Sequence, residues 1–226
     1  MPLDLIQYLT KRHWEIQEPE KADYLPFVTI SRETGCHSIP IAKMLAEKLN
    51  TIATKEWTMM SKEIVEEAAK KLNLNNLQVK GIFESEDRSH IMEILHAFQN
   101  KYYKSDNRVR KTLREIIENY AHDGRVIIVG RAGAIITQKM PGGLHLRLVA
   151  PLEWRVKSIQ KQMNFSRKAA LEYVKQSDEK RAKLLYDFSK KKICDLQFDL
   201  VLNNARINNQ EIVDIIFELI QKRNMH

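Results

Sequence analysis

The segment Phe27-Val-Thr-Ile-Ser-Arg-Glu-Thr-Gly35-Cys-His-Ser-Ile-Pro-Ile-Ala42 decides the fold. It opens with a short β-branched run, which is typical of a buried strand. Gly35 then marks a turn, and Ile41, Leu45 and Leu49 recur at helical spacing. A strand, a glycine turn and a helix in direct succession predict the start of a βα unit.

Near-continuous apolar runs alternate with helical patterns through most of the remaining chain. Such runs are typical of parallel strands that are covered on both faces. We therefore predict an α/β fold with three layers, α/β/α, around a five-stranded parallel sheet. Further strands are predicted at Arg125–Gly130, Leu144–Val149 and Phe198–Leu202. A short helix is predicted just after Gly130. Residues Leu152–Phe188 are predicted to form one or two basic helices, with Pro151 at the first helical position. The last helix is predicted over the segment with Ile212, Ile215, Ile216, Leu219 and Ile220.

Two parts of the chain lie outside this alternation. We expect residues 1–25 to form an amphipathic helix, from Leu3 to about Glu18, and a linker, and residues 26–226 to form the main domain. The block from Lys62 to His122 has helical periodicity and no convincing strand, so we expect a helical insertion over about 57–122. The apolar side of the first helix consists of Leu5, Ile6, Leu9 and Trp14, and the insertion has apolar faces at Ile64, Val65, Ala68, Ala69 and Leu72, at Ile91, Leu95 and Phe98, and at Leu113, Ile116, Ile117 and Tyr120.

Composition excludes several classes of protein. The 226 residues include 43% hydrophobic ones in core-like patterns, which excludes a disordered chain and suits one domain with a small lid. Only two cysteines are present, Cys36 and Cys194, which excludes a disulfide scaffold. The most apolar stretch, Val126–Ile136, is too short to cross a bilayer, and the N-terminus lacks the apolar core of a signal peptide. We therefore expect a cytoplasmic protein without a membrane partner.

The net charge of +8 comes from 37 Lys and Arg against 29 Asp and Glu. Nearly all of this excess lies in one stretch, because Glu153–Lys192 contains 12 Lys and Arg against 5 Asp and Glu. We interpret about 153–192 as basic, lid-like helices above the strand ends. The stretch lacks the interleaved aromatic residues of a nucleic-acid stacking platform, so a nucleotide or other small phosphorylated ligand is favoured over nucleic acid.

The ends of three predicted strands carry the candidate site. Ligands of open parallel sheets bind at the carboxyl ends of the strands. The first strand ends in Ser31–Ser38 at the start of a helix, whose unpaired N–H groups suit phosphate. The other two end in Gly130-Arg-Ala-Gly133 and in Ala150-Pro-Leu-Glu-Trp-Arg155. Arg131 is the strongest single candidate, because packing does not explain a charge directly after a buried strand.

The order and spacing of these blocks resemble the cytidylate kinase-like branch of the P-loop nucleotide kinases. The resemblance covers Phe27 to Ile220, which is nearly the whole main domain. It depends on Val28–Cys36, Ile41–Leu49, Val126–Gly133 and Ala150–Arg155, together with Asp178, Arg181 and Phe198-Asp-Leu-Val-Leu-Asn203. The resemblance implies ATP- and Mg²⁺-dependent transfer of a phosphoryl group to a nucleoside monophosphate, with the middle helices on the monophosphate side and the basic helices as a lid over ATP.

The same resemblance assigns roles to single residues. Gly130 and Arg131, with Ser61 and Lys62, would bind the acceptor monophosphate. The transferring group would be stabilised by cations of the lid, because phosphoryl transfer depends mainly on positioning and charge neutralisation. The implied lid residues are Arg155, Asp178 and Arg181, and the implied ATP-phosphate residues are Ser31, Arg32, Gly35, Cys36 and Ser38.

Several positions depart from the family pattern. A P-loop has the form G-x-x-x-x-G-K-[ST]. Aligned on Ile41, this chain has Arg32 and His37 at the two glycine positions. Ser38 stands at the position of the phosphate-binding lysine and Ile39 at that of the Mg²⁺-binding hydroxyl. On the acceptor side, Ala132 follows Arg131 where an aspartate is typical, and Ser61 stands where an acidic residue is expected.

Two function classes therefore stay open. The first is a nucleoside monophosphate kinase with a degenerate P-loop. The second is a catalytically inactive nucleotide-binding or regulatory module, with homo-oligomerisation or partner docking through the helix with Leu5, Leu9 and Trp14. Nucleophilic catalysis by Cys36 and His37 is disfavoured because no third group is evident, and the histidines show no metal-ligand spacing.

Overall fold

A computed structural model describes residues 25–61, 63, 64, 66, 67 and 107–225. It contains one five-stranded sheet in which all pairs are parallel and the order is β2-β3-β1-β4-β5. The strands are β1 (Phe27–Arg32), β2 (Thr58–Met60), β3 (Val126–Val129), β4 (Gly143–Val149) and β5 (Leu200–Asn203). The α-helices are α1 (Ser38–Asn50), α2 (Asn107–Asp123), α3 (Gly133–Ile136), α4 (Leu152–Met163), α5 (Arg167–Ser189) and α6 (Asn209–Lys222), and Asp195–Gln197 form a 3₁₀ turn.

Strand β1 is the centre of the sheet because its residues are apolar on both faces. Phe27 to Ile30 are buried, and the strand pairs with β3 on one side and with β4 on the other. The register places Ile30 beside Val129 and Arg32 beside Leu148. The carboxyl ends of these three strands therefore meet at one edge of the sheet.

Alternating side chains of β1 divide the core into two layers. Val28 and Ile30 belong to a cluster with α1 and α6, in which Ile41, Leu45 and Ile216 are fully buried. The opposite face belongs to a second cluster: Phe27, Ile64, Ile116, Ile117, Val126, Ile128 and Ile136, with Leu184, Leu185 and Phe188 of α5 packed against it. The α/β fold of three layers around a five-stranded parallel sheet is thus confirmed.

The basic segment forms two helices rather than one. Asn164 adopts a left-handed conformation that ends α4, and the Ser166 side chain caps α5 by accepting a hydrogen bond from the Ala169 amide. Val156, Ile159, Ala170 and Val174 pack the two helices together. The return of α5 toward α3 brings its middle turns over the carboxyl ends of the strands.

Three predicted boundaries were wrong. Thr58–Met60 pairs with β3, so the sheet extends past residue 57, where we placed the start of the helical insertion. Pro151 is the N-cap of α4, and Leu152 is the first helical residue. Strand β5 begins at Leu200 rather than Phe198, because the 3₁₀ turn occupies the preceding residues.

Other predictions lie partly or wholly outside the described residues. These are the helix over Leu3–Glu18, Lys62, and the faces with Ala68, Ala69 and Leu72 and with Ile91, Leu95 and Phe98. The face with Leu113, Ile116, Ile117 and Tyr120 is confirmed on α2. Cys36 and Cys194 are both free. Among the helices in the described part of the chain, none has the length and apolarity required to cross a membrane.

Candidate functional site

A strained turn follows β3 at the edge where the strands end. Gly130, Arg131 and Ala132 have φ angles of 75°, 53° and 57°, so three successive residues are left-handed. This conformation costs a non-glycine residue about 1–2 kcal/mol. The Gly130 amide donates to the Ile30 carbonyl at 3.0 Å, and the Gly133 amide closes the turn by donating to the Gly130 carbonyl at 2.8 Å. The fold thus holds Arg131 next to the end of β1, and strain of this kind is concentrated at functional sites.

Three arginines line one small cleft beside this turn. Arg32 comes from the end of β1, Arg131 from the turn and Arg181 from α5. The φ of Gly130 favours glycine, and the Arg32 guanidinium lies in the space that a side chain at position 130 would enter. The cleft has a volume of about 40 Å³, which is room for a few water-sized groups and suits one phosphoryl group. Its other lining residues are Ser31, Gly130, Ala132, Gly133, Ala134, Leu184 and Leu185.

The electrostatics of the cleft are unfavourable without an anion. Burial, followed by repulsion from Arg181 and Arg131, lowers the pKa of Arg32 to about 9. Burial and Arg181 lower the pKa of Arg131 to about 10. Among the described residues, neither guanidinium forms an ion pair with a carboxylate. Both remain cations at neutral pH, and Glu63 near Arg131 and Asp178 near Arg181 offset only part of the positive charge, which an oxyanion would neutralise further.

The loop after β1 is bound by the lid rather than open. The Asp178 Oδ1 of α5 accepts hydrogen bonds from the Thr34 amide at 2.8 Å and from the Thr34 hydroxyl at 2.6 Å. The Arg181 guanidinium also donates to the Thr34 hydroxyl. Arg181 therefore contacts the loop and lines the arginine cleft at the same time.

Arg155 is the centre of a buried polar network. Its side chain is only 10% exposed and forms ion pairs with Glu33 at 3.3 Å and with Asp178 at 2.5 Å. It also donates to the carbonyls of Ala150 at 2.9 Å and Thr34 at 3.3 Å. These partners fix the first turn of α4 to the loop, so Arg155 has its charge satisfied within the protein.

The far side of the loop faces an open groove between α4 and the segment after β5. The His37 amide donates to the Asn204 Oδ1 at 2.8 Å, and the His37 Nε2 lies 3.1 Å from the Ser158 hydroxyl. The rings of His37 and Trp154 are 5.1 Å apart. The groove thus combines two aromatic rings with the cations Lys157, Lys161 and Arg206.

The loop residues do not fit Mg²⁺-ATP in this arrangement. A P-loop binds phosphates through free backbone N–H groups, a lysine and a metal-binding hydroxyl. Here Ser38 is buried at the lysine position, and Ile39 packs against the core at the hydroxyl position. Within the described ranges, no group of three or more His, Cys, Asp or Glu side chains could hold a metal ion. The amides of residues 33, 34, 36, 37 and 38 all donate to acceptors within the protein.

The structure brings together many of the predicted site residues. Ser31, Arg32, Gly130, Arg131 and Arg181 share the cleft, and Arg155 and Asp178 share the network beside it. The Ser61 carbonyl is 3.5 Å from Nε of Arg131, whereas Lys62 lies outside the described residues. Burial and Glu33 raise the pKa of Cys36 to about 12, which leaves a neutral thiol unsuited to nucleophilic attack.

Sequence patterns did not identify Thr34 or Asn204 as site residues. Thr34 is 144 residues from Asp178, and Asn204 is 167 residues from His37. Thr34 lies within the block aligned with the P-loop, at a position where that motif specifies no residue type, and Asn204 directly follows the last motif block. Asn204 comes near His37 because it follows β5, on the same side of the sheet as β4, whereas Asp178 comes near Thr34 because α5 crosses the strand ends.

Gly35 is predicted to be intolerant of any side chain. Its φ is 95°, and an added Cβ would lie 2.7 Å from the Arg155 carbonyl oxygen, which is backbone and cannot move aside. We expect Gly35→Ala to lower the free energy of unfolding by about 2–4 kcal/mol in urea denaturation.

Gly142→Ala is the matched control, because Gly142 also has a positive φ, 80°, but lies in the turn before β4. It should cost about 1 kcal/mol, from backbone strain. Equal losses for the two variants would show that contact with Arg155 is not the reason for the glycine.

Comparisons with known proteins agree with this architecture. The model of the cytidylate kinase-like family matches residues 27–206. The crystal structure of an uncharacterized protein from Eubacterium ventriosum ATCC 27560 is similar, with a TM-score of 0.64, 19% identity, and coverage of 87% of this chain and 98% of that one. Shikimate kinase from Bacteroides thetaiotaomicron has a TM-score of 0.50 and 12% identity over 87% of this chain and 98% of its own. At these identities the two structures support the fold alone.

A curated relative matches a smaller part of the chain. The uronate isomerase of Corynebacterium glutamicum is 29% identical over 117 residues, which are 50% of this chain. The match covers 22% of the isomerase, so the chain spans about a fifth of the length of that relative.

Proposed function

The chain belongs to the cytidylate kinase-like family, and from this we propose that it binds the phosphate of a nucleotide in the cleft of Arg32, Arg131 and Arg181. One observation carries the proposal. Three arginines line a cleft of phosphoryl size, and among the described residues neither Arg32 nor Arg131 has a carboxylate within ion-pair distance, although Glu63 attracts Arg131 from farther away. A cluster of arginines lowers the stability of the fold unless an anionic ligand binds to it.

The chemistry of the cleft suits a phosphomonoester dianion. A guanidinium can donate two parallel hydrogen bonds to phosphate oxygens, and such bonds are strong in partly buried sites. Arg32 and Arg131 approach from adjacent strands, Arg181 approaches from α5, and Ser31 adds a hydroxyl. A dianion there would offset the repulsion that lowers the arginine pKa values. An uncharged nucleoside would not.

Binding without phosphoryl transfer is the function that the loop supports best. Ser38 and Ile39 replace the lysine and the metal-binding hydroxyl, and the loop amides already have acceptors, including Asp178 and Asn204. We therefore propose a nucleotide-binding regulatory or interaction module on a kinase fold, and we derive no ATP-dependent step from this arrangement.

A nucleoside monophosphate kinase that uses ATP and Mg²⁺ is the second candidate function. The observation that favours it is the open groove with Trp154, Lys157 and Lys161, on the side of the loop opposite the arginine cleft. A kinase needs two ligand sites at the strand ends, and the groove and the arginine cleft would supply them. Activity would require the loop to open before the donor phosphates could approach the cleft.

The two candidates are separated by measuring binding and turnover with the full-length chain. We would record thermal unfolding and titration calorimetry with each common nucleoside monophosphate and with the matching nucleosides, and then assay nucleoside diphosphate formation with Mg²⁺-ATP. We expect monophosphates to raise Tm, because a ligand that binds only the native state stabilises it. Nucleosides should have little effect, and no diphosphate should form.

If the wild type forms nucleoside diphosphate and Arg131→Ala does not, the protein is a kinase rather than a binding module. No response to any monophosphate would overturn nucleotide binding at the cleft. If the chain instead bound DNA or RNA with a strong salt dependence, the basic helices would belong to a nucleic-acid surface.

A further inference from the structure

One carboxylate in the loop region is surrounded by donors of the kind that bind phosphate. The Thr34 amide and hydroxyl both donate to the Asp178 Oδ1, at 2.8 and 2.6 Å. The Arg155 Nη1 donates to the Asp178 Oδ2 at 2.5 Å, and the Arg181 Nη1 lies 3.6 Å from the Asp178 Oδ1. A backbone N–H, a hydroxyl and two guanidiniums around two oxygen atoms form a complete oxyanion site.

Two donors of this site, Thr34 and Arg155, are held in place independently of Asp178. Thr34 is 2% exposed at the end of β1, and the loop is fixed by the contact between Gly35 and the Arg155 backbone. Arg155 is also held by Glu33 and by the Ala150 carbonyl. Asp178, by contrast, is 31% exposed and reaches the loop from a separate helix. Thr34 and Arg155 would therefore keep their arrangement if the carboxylate withdrew, and Arg181 would still reach the Thr34 hydroxyl from α5.

We propose that Thr34, Arg155 and Arg181 form a second oxyanion site, which Asp178 fills in the ligand-free protein. A phosphoryl group or another tetrahedral oxyanion enters this site only when Asp178 is displaced. The loop then differs from an inactive P-loop: its anion site is formed but masked by the protein's own carboxylate. The existence of this site does not depend on the proposed function of the arginine cleft.

Arg181 links the second site to the cleft, and this link rests on the proposed function. Its guanidinium lines the cleft with Arg32 and Arg131 while it contacts Thr34 and Asp178. A phosphate bound in the cleft competes for Arg181 and weakens the hold of the loop on Asp178. Binding at the cleft therefore loosens Asp178, and by linkage the displacement of Asp178 strengthens binding at the cleft.

Removal of the Asp178 side chain tests the site directly. We would titrate the full-length wild type and Asp178→Ala with inorganic phosphate by calorimetry at fixed ionic strength. We expect one phosphate per wild-type chain and two per Asp178→Ala chain. Formate should also raise the Tm of Asp178→Ala, because it replaces the missing carboxylate. Glu179→Ala is the control, because it removes the same charge from an exposed neighbouring position on α5 and should behave as wild type.

A second set of variants separates the two proposals. Arg131→Met combined with Asp178→Ala should bind one phosphate, at the second site. If the wild type binds no phosphate but Asp178→Ala binds one, phosphate binding in the cleft is overturned and the second site is supported. If Asp178→Ala binds no more phosphate than wild type and formate leaves its Tm unchanged, the second site is overturned. If Asp178→Ala does not fold, the same measurements are made on Asp178→Ser, which retains a small hydroxyl.

Discussion

Arg131→Met is expected to abolish most of the stabilisation by nucleoside monophosphates and to raise the Tm of the ligand-free protein. The loss follows from removing a charge-assisted, partly buried phosphate contact, which is worth about 1.5–3 kcal/mol or about 10- to 150-fold in affinity. Methionine retains the apolar stem of the side chain, so packing around Ser61 and the turn should change little.

The gain in Tm follows from the sign of the pKa shift. Burial and Arg181 place the pKa of Arg131 in the folded protein, about 10, below its value in the unfolded chain. The unfolded chain therefore binds this proton more tightly, and the positive charge lowers the stability of the folded state at every pH below about 10. Loss of the charge should raise Tm by a few degrees, at about 2–4 °C per kcal/mol for a domain of this size.

The measurement is a thermal unfolding series with and without a saturating monophosphate. Lys139→Met is the control for net charge, because Lys139 is exposed and lies outside the cleft. It should leave the ligand-induced shift unchanged. An Arg131→Met variant with the wild-type ligand response would contradict the assignment of the phosphate to this cleft. A lower ligand-free Tm would show that the arginine charge is satisfied in the folded protein.

The parts of the fold that local sequence determines were predictable. Strand β1, the Gly35 turn and α1 follow one another within about 25 residues, and each has an unambiguous apolar pattern. Strand β2 was missed because three residues, Thr58–Met60, carry too little periodicity to identify. Its strand conformation depends on pairing with Val126–Ile128, far along the chain. Tertiary contact, rather than propensity, makes this segment a strand.

The candidate site, like the fold, was predictable from the sequence only in part. Arg131 was predictable because a charge directly after a buried strand is unusual. Arg32 was named from the alignment with a P-loop, and its place beside Arg131 depends on the pairing of β1 with β3, which the sequence did not reveal. The family pattern suggested that Asp178 and Arg181 act together, but it did not show that Asp178 binds the Thr34 amide. That contact depends on where α5 crosses the strand ends, which is set by the packing of α4, α5 and α3.

The positive charges of the basic lid lie in several different places. Arg155 and Arg181 reach the strand ends, and Lys157 and Lys161 line the groove beside Trp154. Lys190, Lys191 and Lys192 follow the end of α5 and line none of these sites. The positive charge that lines these sites is therefore a small part of the total.

The largest loss of stability is expected for Arg155→Met. The side chain is 10% exposed and balances the carboxylates of Glu33 and Asp178. Its removal leaves both acids without their main cation and leaves the carbonyls of Ala150 and Thr34 without a donor. Breaking a buried ion pair from one side costs about 3–5 kcal/mol, because the remaining charge stays desolvated.

Urea denaturation of Arg155→Met, Arg155→Lys and Arg167→Met measures this cost. Arg167 forms an ion pair with Glu153 in which both side chains are more than 60% exposed, so Arg167→Met should cost less than about 1 kcal/mol. The loss of stability in Arg155→Lys should lie between those of the other two variants, because lysine keeps the charge but lacks the planar guanidinium that donates to several acceptors at once. If Arg155→Met cost no more than Arg167→Met, the network would not hold α4 and the loop together. Asp178 would then reach Thr34 through α5 alone.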